Sequence, residues 1–210
     1  MKRIAFLLLC LIGMLSPLAI NAQGDYQIPE SVPANNGELD WLIYKDHNGE
    51  AKINKNEVTL KSLKKTRWGM SYPCVTYAKV PINMQGDFYM SVTLKPSKVD
   101  IDHPVGFVFN NVTSNQHNLI CFDGQFCTYP FNERATYKKI KSKDGTWKIS
   151  LERRNGGDYI VSLNGLEVCT MSGKMKFNSP CVGAYAVNKG EVKILEVSYE
   201  QWAAPAENEE

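Results

Sequence analysis

W-K-I-S-L-E-R-R-N-G-G-D-Y-I-V-S-L-N-G-L-E-V-C-T, residues Trp147 to Thr170, is the stretch that decides the fold, because it specifies strand, turn and register together. Trp147, Ile149 and Leu151 alternate with Lys148, Ser150 and Glu152, and Tyr159, Val161 and Leu163 alternate with Ser162 and Asn164. A period of two in apolar residues is the pattern of half-buried strands. Asn155-Gly156-Gly157 suits a three-residue loop, a type I turn closed by a left-handed glycine. That loop sets Leu151 against Val161, Ile149 against Leu163 and Arg154 against Asp158. Asn164-Gly165 suits a two-residue type I′ turn, which sets Leu163 against Leu166 and Val161 against Val168. Both turns place the apolar residues of three strands on one face, and a slip of one residue would send them all to solvent.

The same alternation continues outward. Trp41 to Tyr44 and Glu50 to Asn54 read as strands around Asp46-His47-Asn48-Gly49, and Glu57 to Leu63, Cys74 to Val80 and Asp87 to Leu94 follow, with Pro96 ending the last. Val105 to Phe109 is apolar throughout and so reads as central. Asn110 to Asn118 reads as a polar loop, Leu119 to Phe122 and Gln125 to Tyr129 as a hairpin, and Thr136 to Ile140 as a basic edge strand. Val182 to Val187 and Glu191 to Tyr199 close the series. Nothing in the chain beyond its leader keeps helical spacing. About a dozen short strands between turns predict an all-β, two-sheet antiparallel jelly-roll sandwich.

Lys2-Arg3, the apolar run Ile4 to Ile12 and Ala19-Ile20-Asn21-Ala22 have the order of a secretory signal peptide cleaved after Ala22. Cys10 follows Leu7-Leu8-Leu9 inside the apolar run, which does not suit lipidation. The expected organisation is signal peptide 1–22, an extended Pro- and Asn-containing arm 23–39, one sandwich 40–202 and a disordered acidic tail 203–210. The protein is expected in the periplasm or outside the cell, with no membrane insertion after cleavage. Loss of Lys2 and Arg3 leaves 22 basic against 22 acidic residues. That balance argues against a nucleic-acid partner or an anionic membrane. Five cysteines remain, Cys74, Cys121, Cys127, Cys169 and Cys181, and an odd number leaves at least one thiol unpaired within the chain. Cys121 and Cys127 flank Phe122-Asp123-Gly124-Gln125-Phe126. A two-residue Asp123-Gly124 turn puts them on opposite faces and only a three-residue loop would let them bridge, so a disulfide and two buried thiols both stand.

D-F-Y-M-S-V at Asp87 to Val92, G-F-V-F-N at Gly106 to Asn110, W-K-I-S-L at Trp147 to Leu151, Y-I-V-S-L-N-G at Tyr159 to Gly165, V-G-A-Y at Val182 to Tyr185 and K-I-L-E-V at Lys193 to Val197 come in the order found in one superfamily. The chain resembles the concanavalin A-like lectin/glucanase superfamily over roughly residues 40 to 200. It is most similar to secreted bacterial laminin-G-like and 3-keto-disaccharide hydrolase-type domains. The resemblance implies two curved antiparallel sheets with ligands held on the concave face or its rim loops. Asn110 stands where the hydrolase-type domains often carry an arginine.

Glycosidases of this superfold carry carboxylates on one strand so that alternation aims them into one cleft. Glu38-Leu39-Asp40 begins such a pattern, but Ile43 stands where the third acid belongs, so no catalytic residue is assigned. Asp100-Ile101-Asp102-His103 could offer oxygens to calcium, yet such a site needs about six to eight, and neither a metal nor another cofactor is expected. Sugar binding needs an aromatic face for the C–H side of a pyranose and amides for its hydroxyls. Trp68 and Tyr72 in a basic loop, His117 and Asn118 in an amide-rich segment, and Tyr129 beside Pro130 fit that need and stand outside clean alternation. The expected partner is a glycan or polysaccharide bound without catalysis. A glycoside-cleaving enzyme of the same fold and a protein-binding envelope domain are the alternatives.

Overall fold

The computed structural model describes residues 26–45, 47–64, 74–100, 102–113, 116–122, 126–129, 133–135, 142 and 144–203, with backbone alone at 112–113, 116–117, 121–122, 126–129 and 133–135. The expected signal peptide, most of the tail, Asp46, the strand expected at 136–140 and the loop carrying Trp68 and Tyr72 lie outside the described residues.

Fourteen strands are described: β1 (Val32–Pro33), β2 (Gly49–Ile53), β3 (Val58–Ser62), β4 (Cys74–Lys79), β5 (Phe88–Pro96), β6 (Val105–Thr113), β7 (Gln116–Phe122), β8 (Phe126–Tyr129), β9 (Glu133–Ala135), β10 (Trp147–Arg153), β11 (Tyr159–Leu163), β12 (Leu166–Met171), β13 (Pro180–Ala186) and β14 (Glu191–Gln201). The larger sheet runs β12-β11-β10-β5-β14-β3-β2, with β1 also on β14, and the six-stranded sheet runs β4-β13-β6-β7-β8-β9. Phe88, Met90, Val92 and Leu94 of β5, with Ile149, Leu151, Val161 and Leu163, pack in one buried cluster with Phe107, Phe109, Val182, Ala184 and Ala186 of the other sheet. The molecule is therefore the expected all-β sandwich, and period-2 alternation on β5, β10 and β11 is what closes it.

The decisive meander pairs Ile149 with Leu163 and Leu151 with Val161, as the turn chemistry requires. The first turn reaches that register by another route. Asn155 and Gly156 both take positive φ (52° and 62°), and Gly157 N donates to Arg154 O at 2.9 Å, the arrangement of a type I′ turn followed by one extra residue, Asp158. Asp87 fixes it, since its carboxylate accepts from Asn155 N (2.9 Å) and Gly156 N (2.8 Å). In the second hairpin Leu163 faces Leu166, but a bulge between Val161 and Ser162 sets Val161 against Cys169 in place of Val168. β12 is the sheet's outermost strand, so Leu166 is 58 % exposed and the packing that enforces register elsewhere is weak there.

Two further expectations need correction. Asn110 to Asn118 is no loop: β6 runs to Thr113 and β7 starts at Gln116, because Asn110 Nδ2 donates to Asn118 Oδ1 (2.7 Å) across the two strands and makes their burial affordable. Trp41 to Tyr44 is no regular strand: Trp41 makes an isolated bridge to Ala78, and Lys45, just beyond the segment, makes another to Glu50. The segment before β2 is tied to the sandwich, with Val32 paired to Val197 and the Trp41 indole donating to Ala34 O at 2.9 Å.

Candidate functional site

A sandwich has two outer faces, and here one is roofed. On the larger sheet Ser162, Ser150, Ser91 and Ser198 stand in register across four strands. These short side chains leave room for the arm. Ser198 Oγ donates to Pro29 O (3.2 Å), Lys148 Nζ to Ser31 Oγ (3.1 Å) and the Trp202 indole to Gln27 O (3.1 Å). Tyr26 packs on Trp202 at 5.0 Å between ring centroids and donates to Asp87 Oδ2 at 2.8 Å. The Arg154 guanidinium sits 5.4 Å from each of those two rings and binds Glu152 Oε2 at 3.0 Å. Lys148, Arg154 and Asp87 are thus engaged in holding the arm and the turn.

The outer face of the six-stranded sheet differs. Val75, Val108, Leu119, Cys181, Tyr185 and Val187 form a second buried cluster there, separate from the core, with half-buried Tyr77 against it. Two tyrosines are set by glycines in cross-strand register, Tyr185 opposite Gly106 and Tyr77 opposite Gly183. A Cβ on Gly106 would fall 2.8 Å from Tyr185 Cδ1, and one on Gly183 would fall 2.6 Å from Tyr77 Cβ. Only glycine leaves space for each aromatic side chain to lean over its neighbouring strand.

At the edge of this floor Asn111 Nδ2 donates to the Tyr77 hydroxyl, while Asn111 Oδ1 is buried with no hydrogen-bond partner among the described residues. The β6/β7 pairing is irregular on both sides of Asn110–Asn111, and such irregularities re-aim side chains. Asn110 turns the other way, to Asn118 and to Ser179 N (2.8 Å). Burial pushes the Cys181 thiol up, and burial first, with Cys181 beside it, raises the Tyr77 hydroxyl. At neutral pH both stay protonated, so the floor is uncharged and poorly solvated.

Of the residues singled out from sequence, Asn118 is buried and its Oδ1 is used by Asn110. By backbone register His117 lies opposite Asn111, and Tyr129 opposite Leu119 of the second cluster. Those three positions therefore fall on adjacent strands of one sheet. Trp68 and Tyr72 lie outside the described residues, in the segment that leads into β4. The sequence reading passed over Tyr77, Asn111 and Tyr185. For the two tyrosines the signal was a glycine at the facing strand position, which needs the strand pairing to be seen, whereas Asn111 faces His117 and carried no such mark.

Elsewhere, Glu38 and Asp40 are exposed, and Asn36 Nδ2 donates to Glu38 Oε2 at 3.0 Å in a turn. Asp100 is taken up by Lys98 Nζ (2.6 Å) and His103 Nδ1 (2.7 Å), which hold its carboxyl well below the usual carboxylate range, Lys98 contributing most. Among the described residues no three His, Cys, Asp or Glu side chains converge as metal ligands.

No family description and no curated protein matches this sequence. Solved structures do match. A structure named sialidase aligns with TM-score 0.56 and 12% identity over 77% of this chain, which spans 17% of the sialidase's length. The carbohydrate recognition domain of Emp47p aligns with TM-score 0.53 and 12% identity over 80% of this chain and 93% of that domain. A structure titled native glycosidic hydrolase aligns with TM-score 0.53 and 11% identity over 82% of this chain and 95% of its own. The fold is that of the concanavalin A-like lectins and glycosidases. Within that fold the chain is similar both to proteins titled as sugar-binding and to proteins titled as sugar-cleaving.

Proposed function

We propose that this protein is an exported, non-catalytic carbohydrate-binding sandwich whose ligand face is the outer face of its six-stranded sheet. One observation carries the reading: beside the Tyr77–Asn111 hydrogen bond, a buried amide oxygen, Asn111 Oδ1, has no partner among the described residues, at the rim of an uncharged cluster that contains two tyrosines. A buried acceptor left unmade costs about 1–3 kcal/mol. A sugar hydroxyl would satisfy it while the ring's C–H face lies on Tyr77, the half-buried member at the cluster's edge. Neutral polysaccharide is the ligand class this chemistry favours. The fold's carbohydrate-binding and glycoside-cleaving neighbours support the broader assignment. Cleavage would need two carboxylates about 5–10 Å apart. Among the described residues of this face there is none, and the buried acids Asp87 and Glu152 belong to the other sheet's outer side.

The test is titration calorimetry of the mature chain with soluble neutral polysaccharides, with alginate as an acidic arm. Binding to a neutral polymer, weakened about fivefold or more by Asn111→Ala with Tm within a degree or two of wild type, is the expected result. Trp68→Ala extends the test to the loop before β4, where weaker binding is also expected. Binding to alginate alone, to no polysaccharide at all, or undiminished binding by the Asn111 variant overturns the assignment.

A further inference from the structure

We propose that Cys121 and Cys127 are joined by a disulfide across the β7–β8 hairpin. The backbone pairs Phe122 with Phe126 and Cys121 with Cys127, so the connection is the three-residue one, 123–125, that puts both cysteines at a single cross-strand position. Directly opposed residues of an antiparallel pair have Cα atoms about 4.5–5.5 Å apart. Disulfides span Cα separations of about 4.4–6.8 Å. Register alone therefore meets the requirement, without backbone movement.

The other cysteines are not placed to compete. Cys74 pairs in register with Ala186 on β13, Cys181 with Lys79 on β4 and Cys169 with Val161 on β11, so none faces another cysteine. Cys74 and Cys181 are buried outside any disulfide, with Sγ atoms 3.0 Å from Asn48 O and 3.7 Å from Val108 O. Cys169 sits half-buried on the edge strand β12. One bridge and three thiols account for the odd number left after the leader.

The bridge also falls where the fold has use for it. Among the described residues β8 and β9 are the last strands of their sheet, and they are only four and three residues long. Strands that short gain little from their own ladder. A covalent tie between β7 and β8 removes unfolded-state freedom from that end of the sheet. In forming it, the two thiols lose two protons and two electrons to a disulfide of an oxidising thiol–disulfide oxidoreductase. That disulfide is reduced to two thiols as the S–S bond forms.

The experiment is peptide mapping of the chain exported with its own leader, denatured in N-ethylmaleimide without reductant and then digested. The expected outcome is alkylation at Cys74, Cys169 and Cys181, with a Cys121–Cys127 cross-linked peptide that dissociates only after reduction. Cys121→Ser should leave Cys127 alkylated and lower the Tm by several degrees. The same loss should appear on reducing the wild type and be absent on reducing the variant. Alkylation of all five cysteines, or a bridge involving any of the other three, overturns the proposal.

Discussion

Gly106→Ala should be among the most damaging single-methyl additions in this protein. A Cβ built on Gly106 lies 2.2 Å from Ile120 O and 2.8 and 3.0 Å from Tyr185 Cδ1 and Cε1. The ring could rotate aside. The carbonyl cannot, because Ile120 belongs to β7 and pairs with Phe107 of β6. Relief requires the two strands to part by most of an ångström, which disturbs the ladder and the packing of Phe107 beneath it. Overpacking of this kind costs typically about 1–3 kcal/mol, and backbone involvement puts Gly106→Ala at the upper end, about 2–3 kcal/mol. For a chain this long that is a Tm lower by roughly 5–10 °C. Gly165→Ala is the matched control. Its φ is +81° and nothing lies within 4 Å of its Cβ, so it pays only the left-handed strain of about 1 kcal/mol. Urea unfolding of the two variants, read by tryptophan fluorescence with unchanged m-values, decides the matter. If Gly106→Ala falls within about 0.5 kcal/mol of wild type, or Gly165→Ala proves the costlier, the close strand approach argued for this face is wrong.

Arg153 offers a second test: its guanidinium donates to Gln85 O (2.6 Å), Gly156 O (2.8 Å), Gly157 O (2.9 Å) and Gly173 O (3.3 Å) while only 8% exposed. Arg153→Met strands those carbonyls and should cost about 2–4 kcal/mol in urea unfolding, and a loss under about 1 kcal/mol refutes its role in tying three loops together. The acid limb of stability should report Asp100. Its carboxyl is held below the usual range, chiefly by Lys98 and then His103, so its contribution is complete above the unfolded carboxylate value and fades as pH falls toward the lowered folded one. Asp100→Asn should therefore narrow the Tm difference between pH 5 and about pH 2, and parallel Tm–pH curves for variant and wild type would count against it.

The sequence by itself determined the sandwich and the central register. Apolar alternation has one solution on β10 and β11 once Asn155-Gly156 and Asn164-Gly165 supply turns, and any slip exposes Leu151, Val161 and Leu163 together. It failed at the edge strand β12, where no buried face penalises a bulge, and across Asn110 to Asn118, where polar composition read as loop because the Asn110–Asn118 hydrogen bond joins residues eight apart. The candidate site was legible only as scattered residue types. Which outer face the arm covers depends on where residues 26–34 lie down, and that rests on Ser198, Lys148 and Trp202, more than a hundred positions downstream. Tyr77, Asn111 and Tyr185 become neighbours through β4, β6 and β13, and the glycines that seat the two tyrosines are meaningful only opposite them. Local pattern fixes what a strand buries; only the pairing of distant strands fixes which side chains share its other face.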